Sequence, residues 1–191
     1  MAYLNLAAIR PCTESEGPGK RFAIWCQGCP RRCRGCCNTH MQPIVQRNLV
    51  AVEDLFKLIT NHVASDGIEG VSFIGGEPLL QAEGFAELAR LCQQAGLSVL
   101  LFTGYDYNSL LNADNSDIAE LLRHTDILVD GEFRENLLDS ERDWVGSTNQ
   151  RVIFLSGRYK NGIEYEHGRH STEIQISSRS IRLNGWPLPV D

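Results

Sequence analysis

Three thiols fall at C-x3-C-x2-C spacing in the run Cys29-Pro30-Arg31-Arg32-Cys33-Arg34-Gly35-Cys36, and they constrain the fold more than any other feature. All three lie in one short loop, which the flanking chain must carry to one place and hold there. A single zinc ion takes four ligands, commonly as C-x2-C pairs on separate arms. Thiolates converging from one tight loop suit an iron–sulfur cluster, whose irons are spread over the corners of a cube. Three cysteines leave the fourth iron open, and an open metal position is a mark of chemistry. Cys26 offers a rival count. It precedes Cys29 at C-x2-C spacing, so Cys26, Cys29, Cys33 and Cys36 could form a closed zinc knuckle or a filled electron-transfer cluster. However, Cys26 ends the apolar run Phe22-Ala23-Ile24-Trp25, where a buried structural cysteine is ordinary. Cys12 and Cys92 have no partner in spacing and read as structural, and Cys37 points elsewhere if Cys36 points in.

The rest of the composition narrows the setting. At 191 residues the chain is long enough for one domain with a continuous core. With 42% hydrophobic and 22% charged residues it reads as an ordinary soluble globular protein. A net charge of −6 offers no global field for nucleic acid. The basic group Arg31, Arg32 and Arg34 lies inside the cysteine loop, facing either an anionic ligand or partner, or only solvent. The first ten residues lack the pattern of a signal peptide, and no apolar run reaches membrane-spanning length. An odd cysteine count without an export signal points to a reducing cytoplasm.

Periodicity gives alternating strands and helices. Residues 3–9 and 21–26 read as strands around the turn Gly17-Pro18-Gly19. Leu55, Leu58, Ile59 and Val63 recur at helical spacing over 52–64. Strands at 71–74, 97–102, 127–129 and 152–155 alternate with a helix over 82–95, stopped by Gly96, and another marked by Ile118, Leu121 and Leu122. This pattern implies an α/β fold of right-handed βαβ units with a mostly parallel sheet. The nearly all-apolar stretch 97–102 suits a strand covered on both faces. Beyond residue 155, Asn161-Gly162 and Asn184-Gly185 predict hairpin turns. Residues 156–191 therefore read as an antiparallel β appendage to the 1–155 core.

In parallel α/β folds chemistry collects at the carboxyl ends of strands. The cysteine loop, Gly75-Gly76-Glu77-Pro78, Thr103-Gly104-Tyr105 and Asp130-Gly131-Glu132 all fall at such ends, so all should share one rim. Gly75 and Gly76 would let bare backbone approach a ligand, and Glu77 could accept hydrogen bonds from an ammonium group. Taken singly, each is also just a turn that needs glycine.

The cysteine loop after an early strand, with a Gly-Gly-Glu turn after the next core strand, resembles the radical S-adenosylmethionine superfamily. Within it, the chain resembles the activating enzymes of anaerobic ribonucleotide reductase. The matching blocks are Glu16–Gly19, Gly28-Cys29-Pro30, Cys33–Cys36, Asn38, Gly75–Leu79, Thr103–Tyr105, Leu128–Gly131 and Trp144–Arg151. The resemblance implies a partial (β/α) barrel with Cys29, Cys33 and Cys36 binding three irons of a [4Fe–4S] cluster. S-adenosylmethionine would chelate the fourth. Gly75, Gly76 and Glu77 would hold its amino group, Gly35, Cys36 and Cys37 would line the adenosine, and Thr103 and Asp130 would complete the cofactor site. No side chain is assigned a catalytic role, because the 5′-deoxyadenosyl radical is borne by the cofactor. That radical would take a hydrogen from a backbone glycine of a partner protein, with flavodoxin or ferredoxin as electron donor. Other readings are a different small-molecule or peptide substrate, or a non-catalytic four-cysteine metal-binding module. The chain departs from the family at Cys37, where an aromatic residue is usual, at Cys26, and in the length of 156–191.

Overall fold

The computed structural model describes residues 2–166, 171–176 and 181–186. Seven strands form one sheet in the order β3-β1-β2-β4-β5-β6-β7. They are β1 (Tyr3–Thr13), β2 (Arg21–Cys26), β3 (Asn48–Ala51), β4 (Gly70–Gly75), β5 (Ser98–Phe102), β6 (Ile127–Asp130) and β7 (Arg151–Phe154). The four central strands β2-β4-β5-β6 run parallel. At the flanks β1 pairs antiparallel to β2 and to β3, and β7 antiparallel to β6. The molecule is thus mixed α/β with a largely parallel centre.

The helices α1 (Val52–Asp66), α2 (Ala82–Gln94), α3 (Tyr107–Leu111) and α4 (Ser116–Arg123) follow the strands. Strand alternation decides which side chains they cover. Phe22, Ile24 and Cys26 of β2, Val71 and Phe73 of β4, and Val99 and Leu101 of β5 share one core. Leu55, Ile59, Phe85, Leu88, Cys92 and Leu121 of the helices complete it. The intervening residues face the other way. There Leu100, Ile127 and Val129 pack on Val145, with Trp144, Tyr159 and Ile163 at the margin. So β5 is apolar on both faces because both are covered. At the start of the strands Arg21, fully buried, donates to Ser72 Oγ (2.7 Å), Ser98 Oγ (2.9 Å) and the Pro18 carbonyl (3.2 Å). Each of these neutral partners answers an N–H that burial would otherwise leave unpaired.

Beyond residue 155 the expected antiparallel β pairing is present, but its turns need correction. Neither Asn-Gly pair makes a hairpin turn. A type I′ turn needs positive φ at both central residues, and here only the glycines have it, Gly162 at +95° and Gly185 at +94°. Gly162 instead caps a short 3₁₀ turn at Ile163–Tyr165. Asn184-Gly185 sits within β9 (Ile181–Gly185), which pairs antiparallel with β8 (Thr172–Ile176) as a separate two-stranded sheet. The segment joining β8 to β9 lies outside the described residues, as do 167–170 and 187–191. The hairpin docks through Glu173, which accepts from Thr13 Oγ1 (2.7 Å) and the Glu14 N–H (2.6 Å), and through Asn184, which donates to Thr13 Oγ1 (2.8 Å). Thr13 pairs with Arg21, the first residue of β2. The hairpin therefore meets the sheet at the end opposite the carboxyl rim.

Candidate active site

Backbone contacts seat the cysteine loop on the sheet. The Gly76 N–H donates to the Cys26 carbonyl (2.9 Å), Glu77 N–H to the Gly28 carbonyl (2.8 Å), Gly28 N–H to Met41 O (2.8 Å) and Cys29 N–H to Gln42 O (3.0 Å). This approach explains the glycine pair. Gly75 has φ +104°, and a Cβ there would stand 2.7 Å from the Trp25 Cα, while one on Gly76 would overlap the Gly28 carbonyl. Any side chain at either position would push the loop off its seat.

Cys29, Cys33 and Cys36 are free, half-buried thiols. The backbone N–H groups of Arg31 and Arg32 face the Cys29 sulfur, that of Phe133 faces Cys33, and that of Asn38 donates to Cys36 Sγ at 3.4 Å. Burial holds the Cys29 and Cys33 thiols above the usual range, with Glu77 and Glu132 respectively acting in the same direction. Metal binding here must therefore release protons. Cys26 lies on the other face, fully buried in the helix-side core, its thiol pushed up by burial. Among the described residues no three potential ligands surround the position of a single ion. Three free sulfurs served by backbone N–H groups fit a cluster, whose irons are spread and whose sulfurs accept hydrogen bonds. Cys26 is buried in the helix-side core, whereas the other three are half-buried.

The remaining turns do meet on this rim, held by their own side chains. Glu77 is 1% exposed. Its carboxylate accepts from Thr103 Oγ1 (2.8 Å), the Gly104 N–H (2.8 Å) and the Leu79 N–H (3.1 Å). Burial raises its pKa, while these donors oppose the rise. Glu77 thus ties the ends of β4 and β5 together with both oxygens occupied. Asp130, also 1% exposed, is paired with Arg151 and accepts from the Tyr107 N–H at 2.7 Å. Gly35 has φ +74° and lies against the Glu135 side chain. Cys37 is exposed.

Several rim residues escape a reading of motifs alone. The arginines of the cysteine loop find carboxylates, Arg31 at Glu132 (3.4 Å) and Arg34 at Glu135 (2.6 Å). Arg31 also stacks 4.9 Å from the Tyr105 ring centroid. The matched spacing Arg-x2-Arg and Glu-x2-Glu was the available signal. Behind Gly131-Glu132, Gln150 donates to the Gly131 carbonyl (3.0 Å) and accepts from the Gly146 N–H (2.9 Å), while Asn149 donates to the Glu132 carbonyl (2.8 Å). The block Gly146–Gln150 is therefore the scaffold of the turn after β6.

Known proteins similar to this chain share one chemistry. The 4Fe-4S single cluster domain family matches residues 15–153. The anaerobic ribonucleoside-triphosphate reductase-activating protein of Escherichia coli K12 is 30% identical over 165 residues, covering 80% of this chain and 99% of its own. Its counterpart from phage T4 is 27% identical over 154 residues, 78% of this chain and 93% of that one. The pyruvate formate-lyase 1-activating enzyme of E. coli K12 is 32% identical over 190 residues, 95% of this chain and 69% of that enzyme. The chain belongs to the 4Fe–4S single-cluster family, and within it to the radical S-adenosylmethionine enzymes that activate glycyl-radical proteins. Its cofactors are accordingly a [4Fe–4S] cluster and S-adenosylmethionine.

Proposed function

We propose that this enzyme installs the glycyl radical on an anaerobic ribonucleotide reductase or a near relative of it. The observation that carries this reading is the similarity to two reductase activators, matched over 93% and 99% of their length. Cys29, Cys33 and Cys36 would hold the cluster. Gly35, Cys36 and Cys37 would line the adenosine, Gly75 and Gly76 would present bare backbone to the methionyl amino group, and Thr103 and Asp130 would stay in the surrounding wall. Glu77 would act mainly by fixing the turns after β4 and β5 against each other. When bound, cluster and S-adenosylmethionine together supply one-electron reductive cleavage and a hydrogen-abstracting radical. The chain's own part is to seat the loop, orient the cofactor and close the rim. Curvature of the open sheet into a partial barrel, flavodoxin or ferredoxin as donor, and a cytoplasmic location belong to the same proposal. No described helix is long and apolar enough to cross a membrane.

The match to the pyruvate formate-lyase activator runs over 95% of this chain, which supports a second partner class. Full-length protein, reconstituted anaerobically and reduced chemically, should be offered each partner in turn. A glycyl radical seen by electron paramagnetic resonance on the reductase alone is the expected result. Release of 5′-deoxyadenosine with no radical on either polypeptide would overturn the activase reading.

A further inference from the structure

Three large apolar side chains face water beside the cysteine loop: Ile44 at 68% exposure, Val45 at 56% and Leu80 at 46%. Single exposed apolar residues are ordinary, but these are gathered by the backbone. Met41 O and Gln42 O accept from the Gly28 and Cys29 N–H groups, so the stretch that carries Ile44 and Val45 runs against the loop. Ile44 and Leu80, the latter in the 3₁₀ turn Pro78–Gln81, both come within 3.8 Å of where a Cβ on Gly28 would stand. The two side chains thus meet over Gly28, one residue from Cys29. Val45 is fixed next to them by its carbonyl, which accepts from Asn5 Nδ2 at 2.8 Å.

The charge along this stretch has one sign. From Gly28 to Arg47 the chain carries Arg31, Arg32, Arg34, His40 and Arg47 and no aspartate or glutamate, within a molecule of net charge −6. Arg31 and Arg34 are answered by Glu132 and Glu135. Arg32 and Arg47 are exposed. The Arg47 guanidinium is placed by the neutral Gln27 Oε1 at 3.4 Å, which leaves its charge to act outward beside Gly28.

Reductive cleavage of S-adenosylmethionine consumes one electron per event, and the cysteines of this chain suffice for one cluster only. Three belong to the loop, Cys26 and Cys92 are sealed in the core, and Cys12 and Cys37 are too few for a second. The electron must come from outside and must enter close to a cluster ligand, because transfer weakens steeply with distance. We propose that Ile44, Val45 and Leu80, with Arg47 at their edge and Arg32 in the adjoining loop, are the docking surface for a small acidic one-electron carrier protein. The carrier is oxidised by one electron, which enters the centre held by Cys29, Cys33 and Cys36. This rests on the activase reading, whose chemistry creates the demand for that electron. An apolar centre with a charged rim suits a transient contact. An acidic carrier is repelled by the molecule as a whole and attracted here, so its approach is steered to the cysteine loop.

The test uses full-length holoenzyme with S-adenosylmethionine, reduced either by flavodoxin hydroquinone, the acidic carrier used as probe, or by dithionite, which needs no docking. Release of 5′-deoxyadenosine is measured against flavodoxin concentration at one ionic strength. In the double variant Ile44→Ser, Leu80→Ser, and separately in Arg47→Glu, the half-saturating flavodoxin concentration should rise about tenfold, as for loss of a good interface contact. The dithionite-driven rate should stay within about twofold of wild type, since exposed substitutions disturb the fold little. No flavodoxin-driven release in wild type, unchanged half-saturation in either variant, or an equal fall with both reductants would overturn the docking surface. So would loss of the glycyl radical on the reductase in variants reduced by dithionite, which would assign the patch to the activated polypeptide. If wild type and variants respond to flavodoxin as expected but no radical appears on the reductase, the choice of reductase as substrate falls and the docking surface stands.

Discussion

Glu16 is the residue whose chemistry is most altered by its position. It is 8% exposed, and burial raises its pKa to about 7, against the opposing hydrogen bond from the Gly185 backbone. A carboxyl with a raised native pKa binds protons more tightly when folded than when unfolded. Its contribution is therefore fully present below the unfolded value near 4.5 and is lost as pH rises through about 7. Ionising Glu16 in place should lower stability by about 3 kcal/mol across that window. Denaturant unfolding measured at a series of pH values should show this fall in wild type and a flatter profile in Glu16→Gln. An identical slope in both proteins would remove Glu16 as its source. The Glu16–Gly19 block could be matched to a family from sequence. Its burial could not, because the loop is covered by β9, more than 160 positions away along the chain.

Among the elements, every strand of the main sheet but β3 was legible, with β1 running four residues past its expected end and β7 shifted by one. β2 lies where the apolar run placed it, and α1, α2, β4, β5 and β6 differ from their expected ranges by a residue or two at the ends. These segments bury a repeating face, so periodicity reports them. β3 was missed because its pattern is exposed or half-buried throughout, and an edge strand held by one neighbour leaves little periodic trace. At the C-terminal end the antiparallel pairing was legible but its turns were not: Asn-Gly was read as a turn where its glycine serves a cap and a strand end.

The hairpin's docking also separates the two roles an appendage could have. Ser156, Arg158 and Tyr159 hydrogen-bond to Asp126, Gly96 and Ser98, so this stretch belongs to the core and a cut after residue 155 would damage it. A cut after Glu166 removes the hairpin alone. Glu173→Ala leaves the Thr13 hydroxyl and Glu14 N–H without their acceptor and should cost about 1–3 kcal/mol. In both variants the melting temperature should fall, while glycyl radical formed per 5′-deoxyadenosine released stays at the wild-type ratio. A collapse of that ratio in a folded variant would make the hairpin a partner-recognition element.

At the scale of the whole molecule, the sheet divides the cysteines into two populations. Cys26 and Cys92 face the helices inside the core, where burial pushes the Cys92 thiol up to about 12. Cys29, Cys33 and Cys36 stand in the loop beyond the strand end. Replacing Cys29, Cys33 or Cys36 by alanine should abolish the iron and sulfide retained after anaerobic reconstitution. Cys26→Ala should keep about four irons and lose only packing energy, on the order of 1 kcal/mol. Iron analysis and thermal unfolding of the four variants decide this, and loss of iron in Cys26→Ala would reinstate the closed four-thiolate centre. The spacing of the thiols suggested this division. What it could not show was how the rim is tied together, since Glu132 and Glu135 lie about a hundred positions from the arginines they pair with.

The two arginine–glutamate pairs give the cysteine loop two kinds of attachment. Below, main-chain hydrogen bonds join it to the turn after β4, and these are indifferent to dissolved salt. Above, Arg34–Glu135 is largely open to water and Arg31–Glu132 partly so. Exposed charges lose much of their attraction once the screening length falls to a few ångströms, about 3 Å at molar ionic strength. The upper attachment therefore loosens as the buffer is concentrated while the lower one persists. Ionic strength becomes a handle on how firmly the metal-bearing loop is shut, one that can be turned without changing a single residue.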